Sequence, residues 1–135
     1  MEDLYFRKLN VYQNSKELTK YVYNLLKKYP VEEKFALCSQ IRRAVTSIPI
    51  NIAEGFGRFS SKEKKRFIEI AFGSLTELSC ELELSLEFIY ITEDEFNEAE
   101  RQIIIISKQL SKLHQSVLNN YKANDTTTEH TNLIP

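Results

Sequence analysis

The sequence predicts an all-α protein, an antiparallel up-down-up-down four-helix bundle. Three observations carry that expectation. Its 135 residues include only 3 glycines and 3 prolines, too few to turn a chain as often as a β-sandwich requires. Helix formers (Leu, Ile, Glu, Lys, Ala, Gln) make up much of the rest. Apolar residues recur three and four positions apart through four stretches, which aligns them along one side of a helix. One domain of this length buries roughly two-thirds of the surface of its unfolded chain.

The first helix is expected over about 11–29, with Val11, Ser15, Leu18, Val22 and Leu25 on one stripe. Pro30 ends it, because the residue before a proline is pushed out of helical geometry. The same proline opens a second helix over about 31–56, with Glu32 and Glu33 suited to its first turn. Its stripe is Phe35, Cys38, Ile41, Ala44 or Val45, Ile48, Ile52 and Phe56. Pro49 lies inside it, and a kink is expected there because the apolar period continues on both sides. Gly55 and Gly57 supply permissive backbone for its C-terminal cap.

Ser60 and Glu63 have the spacing of a capping box, so a third helix starts at Ser60. It continues to about 90 through Phe67, Ile70, Ala71, Ser74, Leu78, Leu82, Ser85 and Ile89. Thr92 and Glu95 form a second such cap. The fourth helix then runs to about 121 through Phe96, Ala99, Ile103, Ile106, Leu110, Leu113 and Val117. Connections this short join antiparallel neighbours. The bundle is thus expected over 1–121, with a polar, disordered tail over 122–135.

Ile68, Phe72, Leu75, Leu84, Leu86 and Phe88 in the third helix, and Ile104 and Ile105 in the fourth, lie off these stripes. A helix apolar on several sides is buried on several sides, so a homo-oligomer is expected.

No apolar run reaches the ~18 residues that a membrane span needs, and the N-terminus lacks the pattern of a signal peptide. A cytoplasmic protein without membrane contact is expected. Cys38 and Cys80 both fall in apolar patterns and read as inert core thiols. The net charge of −1 hides a division. Residues 1–70 carry 14 Lys+Arg against 8 Asp+Glu, and residues 71–135 carry 4 against 11. That asymmetry suits either docking of one half on the other or a basic face for a polyanion.

Catalytic candidates are poor: two histidines, His114 and His130, and no nucleophile-elbow, P-loop or dinucleotide pattern. Glu77, Glu81, Glu83 and Glu87 lack the Glu-x-x-His spacing of a carboxylate-bridged metal bundle and read as a solvated or ion-paired helix face. Neither catalysis, metal nor cofactor is expected.

The informative segment is Gln40 to Phe67. Arg42, Arg43, Asn51 and Glu54 interrupt an apolar helix and read as a structural polar network, with an arginine of another helix or subunit as the partner of a buried Glu54. Arg58, Lys62, Lys64, Lys65 and Arg66 crowd a turn and a helix start, where the backbone is already partially positive. With Glu63 committed to its cap, these cations are left largely unanswered, and a phosphate would answer them. They are the candidate nucleic-acid-binding residues. Phe59 is expected to pack inward and anchor the turn.

The run QIRRAVTSIPINIAEGFGRFSSKEKKRF, followed by IAFGSLTEL, resembles the bacterial four-helix-bundle proteins encoded in intervening sequences of 23S ribosomal RNA genes. Gln40, Arg42, Arg43, Ala44, Ser47, Ile48, Asn51, Ile52, Ala53, Glu54, Gly55 and Arg58 match that family's signature. Ser60, Glu63, Phe67, Ile70, Ala71, Gly73, Ser74, Glu77 and Leu78 continue it. The family is similar in turn to the accessory variability determinant of diversity-generating retroelements. The resemblance implies a homopentameric ring and a role with RNA or DNA. It also implies the rival role of a scaffold docking a protein partner such as a reverse transcriptase. The retroelement relatives are positively charged; the slight net negative charge here favours the intervening-sequence branch. By the same comparison Gly73, with Ala71 and Ser74, marks a tight helix–helix crossing.

Overall fold

In the computed structural model the backbone is described over residues 4–131 and the side chains over 4–119. Among the described residues there are four α-helices and no strands: α1 Asn10–Leu26, α2 Leu37–Phe56, α3 Ser61–Glu87 and α4 Glu93–Thr131. Single 3-10 turns precede α1 at Tyr5–Lys8 and α2 at Val31–Glu33. α2 packs on α3, α3 on α4, and α1 on both α2 and α4, so each helix meets its sequence neighbours around one core. Leu18, Ile41, Ile48, Ile52, Leu75, Leu78, Leu82, Ile106 and Leu110 fill that core.

The second helix starts later than the sequence suggests. Val31–Glu33 form a 3-10 turn and Ala36 leaves helical geometry (φ −114°, ψ −103°) before α2 begins at Leu37. Tertiary bonds hold this detour: the Arg42 guanidinium donates to the Lys34 carbonyl at 2.8 Å, and the Tyr90 hydroxyl donates to Glu33 at 3.0 Å. Phe35, expected in the core, is consequently exposed. α2 continues through Pro49 to Phe56. At the other extreme, α4 carries helical backbone into the 122–135 segment as far as Thr131. Neither glycine nor proline interrupts that stretch. The expected disorder of its last residues, 132–135, lies outside the described residues.

Core phase in α3 is shifted in part from expectation: Ala71, Leu78, Leu82 and Ser85 are buried as expected, but their companions differ. Ile68 and Leu75 are buried inside the subunit, whereas Ile70 is exposed. The apolar surplus left outside is therefore Ile70, Phe72, Leu84 and Phe88 on α3 and its C-cap, with Ile104 and Ile105 on α4. Cys38 is buried as expected, and Cys80 is exposed instead.

Two caps follow the sequence closely. The Ser60 hydroxyl accepts from the Glu63 amide at 3.1 Å. Thr92 and Glu95 form the complete reciprocal box, at 3.1 and 2.9 Å. The C-terminus of α3 is closed differently. The Tyr90 amide donates to the Ser85 carbonyl and the Ile89 amide to the Leu86 carbonyl, both at 2.9 Å. That pairing is the Schellman motif, which places its C′ residue in the left-handed region. Here that residue is Ile89, at φ +64°, where a β-branched side chain is strained.

Gly57 caps α2 as expected, whereas Gly73 and Gly55 depart from their expected roles. A Cβ on Gly73 would meet nothing within 4 Å, so Gly73 opens onto a groove instead of marking a crossing. The close approach is at Gly55, where a Cβ would lie 2.9 Å from Phe67 Cβ and 3.4 Å from the Lys64 carbonyl. Gly55 and Gly57 both keep negative φ, and Gly57 is the C-cap of α2 with ordinary right-handed angles.

These positions separate in a thermal-melt series. Gly73→Ala should stabilise by about 1 kcal/mol through helix propensity alone. Gly55→Ala should destabilise by about 1–3 kcal/mol, because α2 and α3 must move apart. Ile89→Gly should stabilise by about 1–2 kcal/mol by removing the left-handed penalty.

Candidate nucleic-acid interface

Gly55 lets the end of α2 lie against the start of α3, and that approach builds the basic turn. The chain leaves α2 at Phe56, crosses Gly57 to Phe59, and enters α3 through the Ser60 cap. Within this turn the five candidate cations fall into two groups. Arg58 pairs with Glu54 one helical turn back, at 3.1 Å, and its guanidinium lies 5.0 Å from the Phe67 ring centre. Arg66 pairs with Glu63 at 3.4 Å. Lys64 donates to the Arg58 carbonyl, and burial lowers its pKa from the ordinary lysine value. Lys62 and Lys65 have no acidic partner among the described residues.

The expectation of five unanswered cations is thus corrected: three are engaged locally. The reason is helical spacing, since Glu54 and Arg58 stand at i, i+4 and Glu63 and Arg66 at i, i+3. Both contacts are solvent-exposed and weak, so an incoming phosphate competes for these arginines at little cost. Phe59, expected inward, is 90% exposed beside them. An exposed ring among cations can stack on a base.

Arg42, Arg43, Asn51 and Glu54 do not come together as one network. Arg42 ties down the α1–α2 connection, and Glu54 is exposed with Arg58 as its partner. Asn51 instead joins two serines: its Nδ2 donates to the Ser47 carbonyl and hydroxyl, both at 2.8 Å. The Ser47 hydroxyl bonds Ser74 Oγ across the helix pair at 2.8 Å. This chain locks α2 to α3 midway along their contact.

Glu81 was missed by the sequence reading, which placed it on a wetted face. It is buried between α2 and α3, and its Oε1 has no hydrogen-bond partner among the described residues. Its spacing carried the signal, since it stands three residues beyond Leu78 and four before Ser85. Burial, then the adjacent Glu77 carboxylate, pushes its pKa up to about 7, with Arg43 pulling weakly the other way. On α4, His114 bonds Glu69 of α3 at 2.8 Å beside the groove at Gly73. No cluster of three or more potential metal ligands occurs among the described residues. No helix among them is long and apolar enough to cross a membrane.

Comparison with known proteins fits this geometry to a family. The family model described as 23S rRNA-intervening sequence protein matches residues 7–112. The chain belongs to that family. This 23S rRNA-intervening sequence family member is also similar to a solved structure from Bacteroides thetaiotaomicron, a protein of unknown function from the S23 ribosomal protein family. The two share 30% identity with a TM-score of 0.72, over 77% of this chain and 97% of the other. No curated protein matches it.

Glu81 makes stability depend on pH with a definite sign. The folded protein binds this proton more tightly than the unfolded chain, so stability falls as pH rises from about 4.5 to about 7 and then levels off. The melting temperature should therefore be lower at pH 8 than at pH 5. Glu81→Gln should flatten that slope and raise the melting temperature at pH 8. Below pH 4.5 the opposite trend sets in as Glu95, whose pKa is held down by its bond to Lys28, becomes protonated.

Proposed function

We propose that this family member is a non-enzymatic, oligomeric RNA-binding protein of the bacterial cytoplasm, gripping phosphates through the α2–α3 turn. The observation that carries the reading is the pairing of two unanswered lysines, Lys62 and Lys65, with an exposed Phe59 in one turn. Arg58, Lys64 and Arg66 are close enough in sequence to join them once their local partners are displaced. The family's link to ribosomal RNA genes supports RNA as the first polyanion to test.

The bundle we infer is antiparallel and up-down-up-down, with α2 kinked at Pro49. Side-chain pairs support it: Asn14 meets Gln109 whereas Lys28 meets Glu95, so α1 and α4 run in opposite senses. Assembly into a ring, a homopentamer as the family resemblance implies, would place one basic turn per subunit around a common axis. The exposed apolar residues of α3 and α4 supply the lateral contacts. Repetition matters because one turn offers few charges, and linked sites multiply weak contacts.

Binding of this kind releases counterions and weakens steeply with salt, by a log–log slope of about −0.7 for each phosphate contact to a single strand. Replacing Lys62, Lys64, Lys65 and Arg66 with glutamine should leave the helical circular-dichroism signal intact and abolish retention of RNA at low salt. Unchanged retention removes the proposed site. Retention lost equally by the charge-neutral Phe59→Ser variant alone would point to stacking as the larger contribution.

A further inference from the structure

The two ends of the bundle are chemically opposite. At the end away from the basic turn, the α1–α2 and α3–α4 connections meet around Tyr90. Its hydroxyl bonds Glu33, and its ring lies 5.3 Å from the Tyr29 ring and 5.6 Å from the Phe88 ring, centre to centre. Four large apolar side chains stand out on these two connections: Val31 is 76% exposed, Phe35 85%, Phe88 54% and Ile89 87%. Single exposed leucines need no explanation, but such a concentration marks a contact surface. One of the four, Ile89, also sits in a backbone conformation that its branched side chain disfavours. The surroundings are acidic on balance, with Glu32 exposed on the first connection and Glu87, Glu93 and Asp94 exposed at the helix ends that flank the second. Against them stand Lys27, Lys28, which pairs with Glu95, and Lys34, which lies over the Phe35 ring.

The complementary surface lies at the opposite end of the same chain. There Phe59 projects into solvent between Arg58 and the unanswered Lys62 and Lys65. We infer that the apolar, acid-rimmed end receives the α2–α3 turn of a second copy. Phe59 enters among Phe35, Phe88 and Ile89, and the lysines face Glu32, Glu87, Glu93 and Asp94. Such a contact is heterologous, joining unlike surfaces, and it extends copies end to end instead of closing on itself. It is separate from lateral assembly through α3 and α4. It also engages the turn proposed above for RNA, so a polyanion and a second copy compete for one surface. The contact needs only the charge and exposure of that turn, and stands whether or not RNA is its other ligand.

Two variants, each altered outside the buried core, test it by light scattering of nuclease-treated full-length protein at low salt. One removes the socket (Phe35→Ser with Ile89→Gly), the other reverses the plug (Lys62→Glu with Lys65→Glu). The wild-type mass should climb with concentration, while each variant alone should hold a constant lower mass. Mixed in equal amounts, they should regain a mass about twice that plateau, since each retains the half the other lost. High salt should return the mixture to the plateau. A wild-type mass that matches the variants, or a mixture that stays at their plateau, overturns the inference. Because no RNA is present, a failure here leaves the RNA result untouched, and loss of RNA retention leaves this result untouched.

Discussion

The close approach of α2 and α3 at Gly55 is the constraint on which the rest of the structure depends. A missing Cβ lets the end of one helix lie against Phe67 and the Lys64 carbonyl of the next. The Asn51–Ser47–Ser74 chain then fixes the same pair midway. Farther along, the contact buries Glu81 beside the exposed Glu77. One helix pairing thus sets the shape of the basic turn and buries an ionisable group along its length. α2 and α3 form the most extensive helix contact in the molecule.

The burial of Glu81 is a cost that an apolar residue would avoid. A carboxylate taken from water without a partner is expensive, and the protein meets that expense by holding the proton near neutral pH. Glu81 is thereby held partly neutral near neutral pH inside an otherwise charged helix. Arg43 is near enough to favour the ionised form but too exposed to offset desolvation. Stability and the state of this seam are linked through that single proton.

Charge and greasiness are sorted along the bundle axis. The α2–α3 turn concentrates cations, while the connections at the far end concentrate aromatics, aliphatics and carboxylates. Linear charge balance already showed a basic first half and an acidic second half, yet the spatial division differs from the linear one. Glu32 and Phe35 lie in the basic half of the sequence and stand at the acidic end of the fold. A chain that doubles back at each connection converts sequence position into axial position, and neighbours in space are drawn from both halves.

Helix number, both N-terminal caps and the family were legible in the sequence, because each rests on local spacing. Thr92 with Glu95 is one such unit, since a capping box closes within a single turn whatever surrounds it. The i, i+4 pairing of Glu54 with Arg58 was equally local and was overlooked. Other features belonged to the tertiary structure alone. Whether Ile70 or Ile68 faces the core depends on rotation about the α3 axis, since two positions along a helix stand roughly 200° apart around it, and only packing against α2 and α4 fixes that rotation. The contrast between Gly55 and Gly73 likewise needed a second helix, because a glycine records an absence and only a neighbour tells whether that absence is filled. Periodicity decides that a helix has a buried side; contact with other helices decides which residues occupy it.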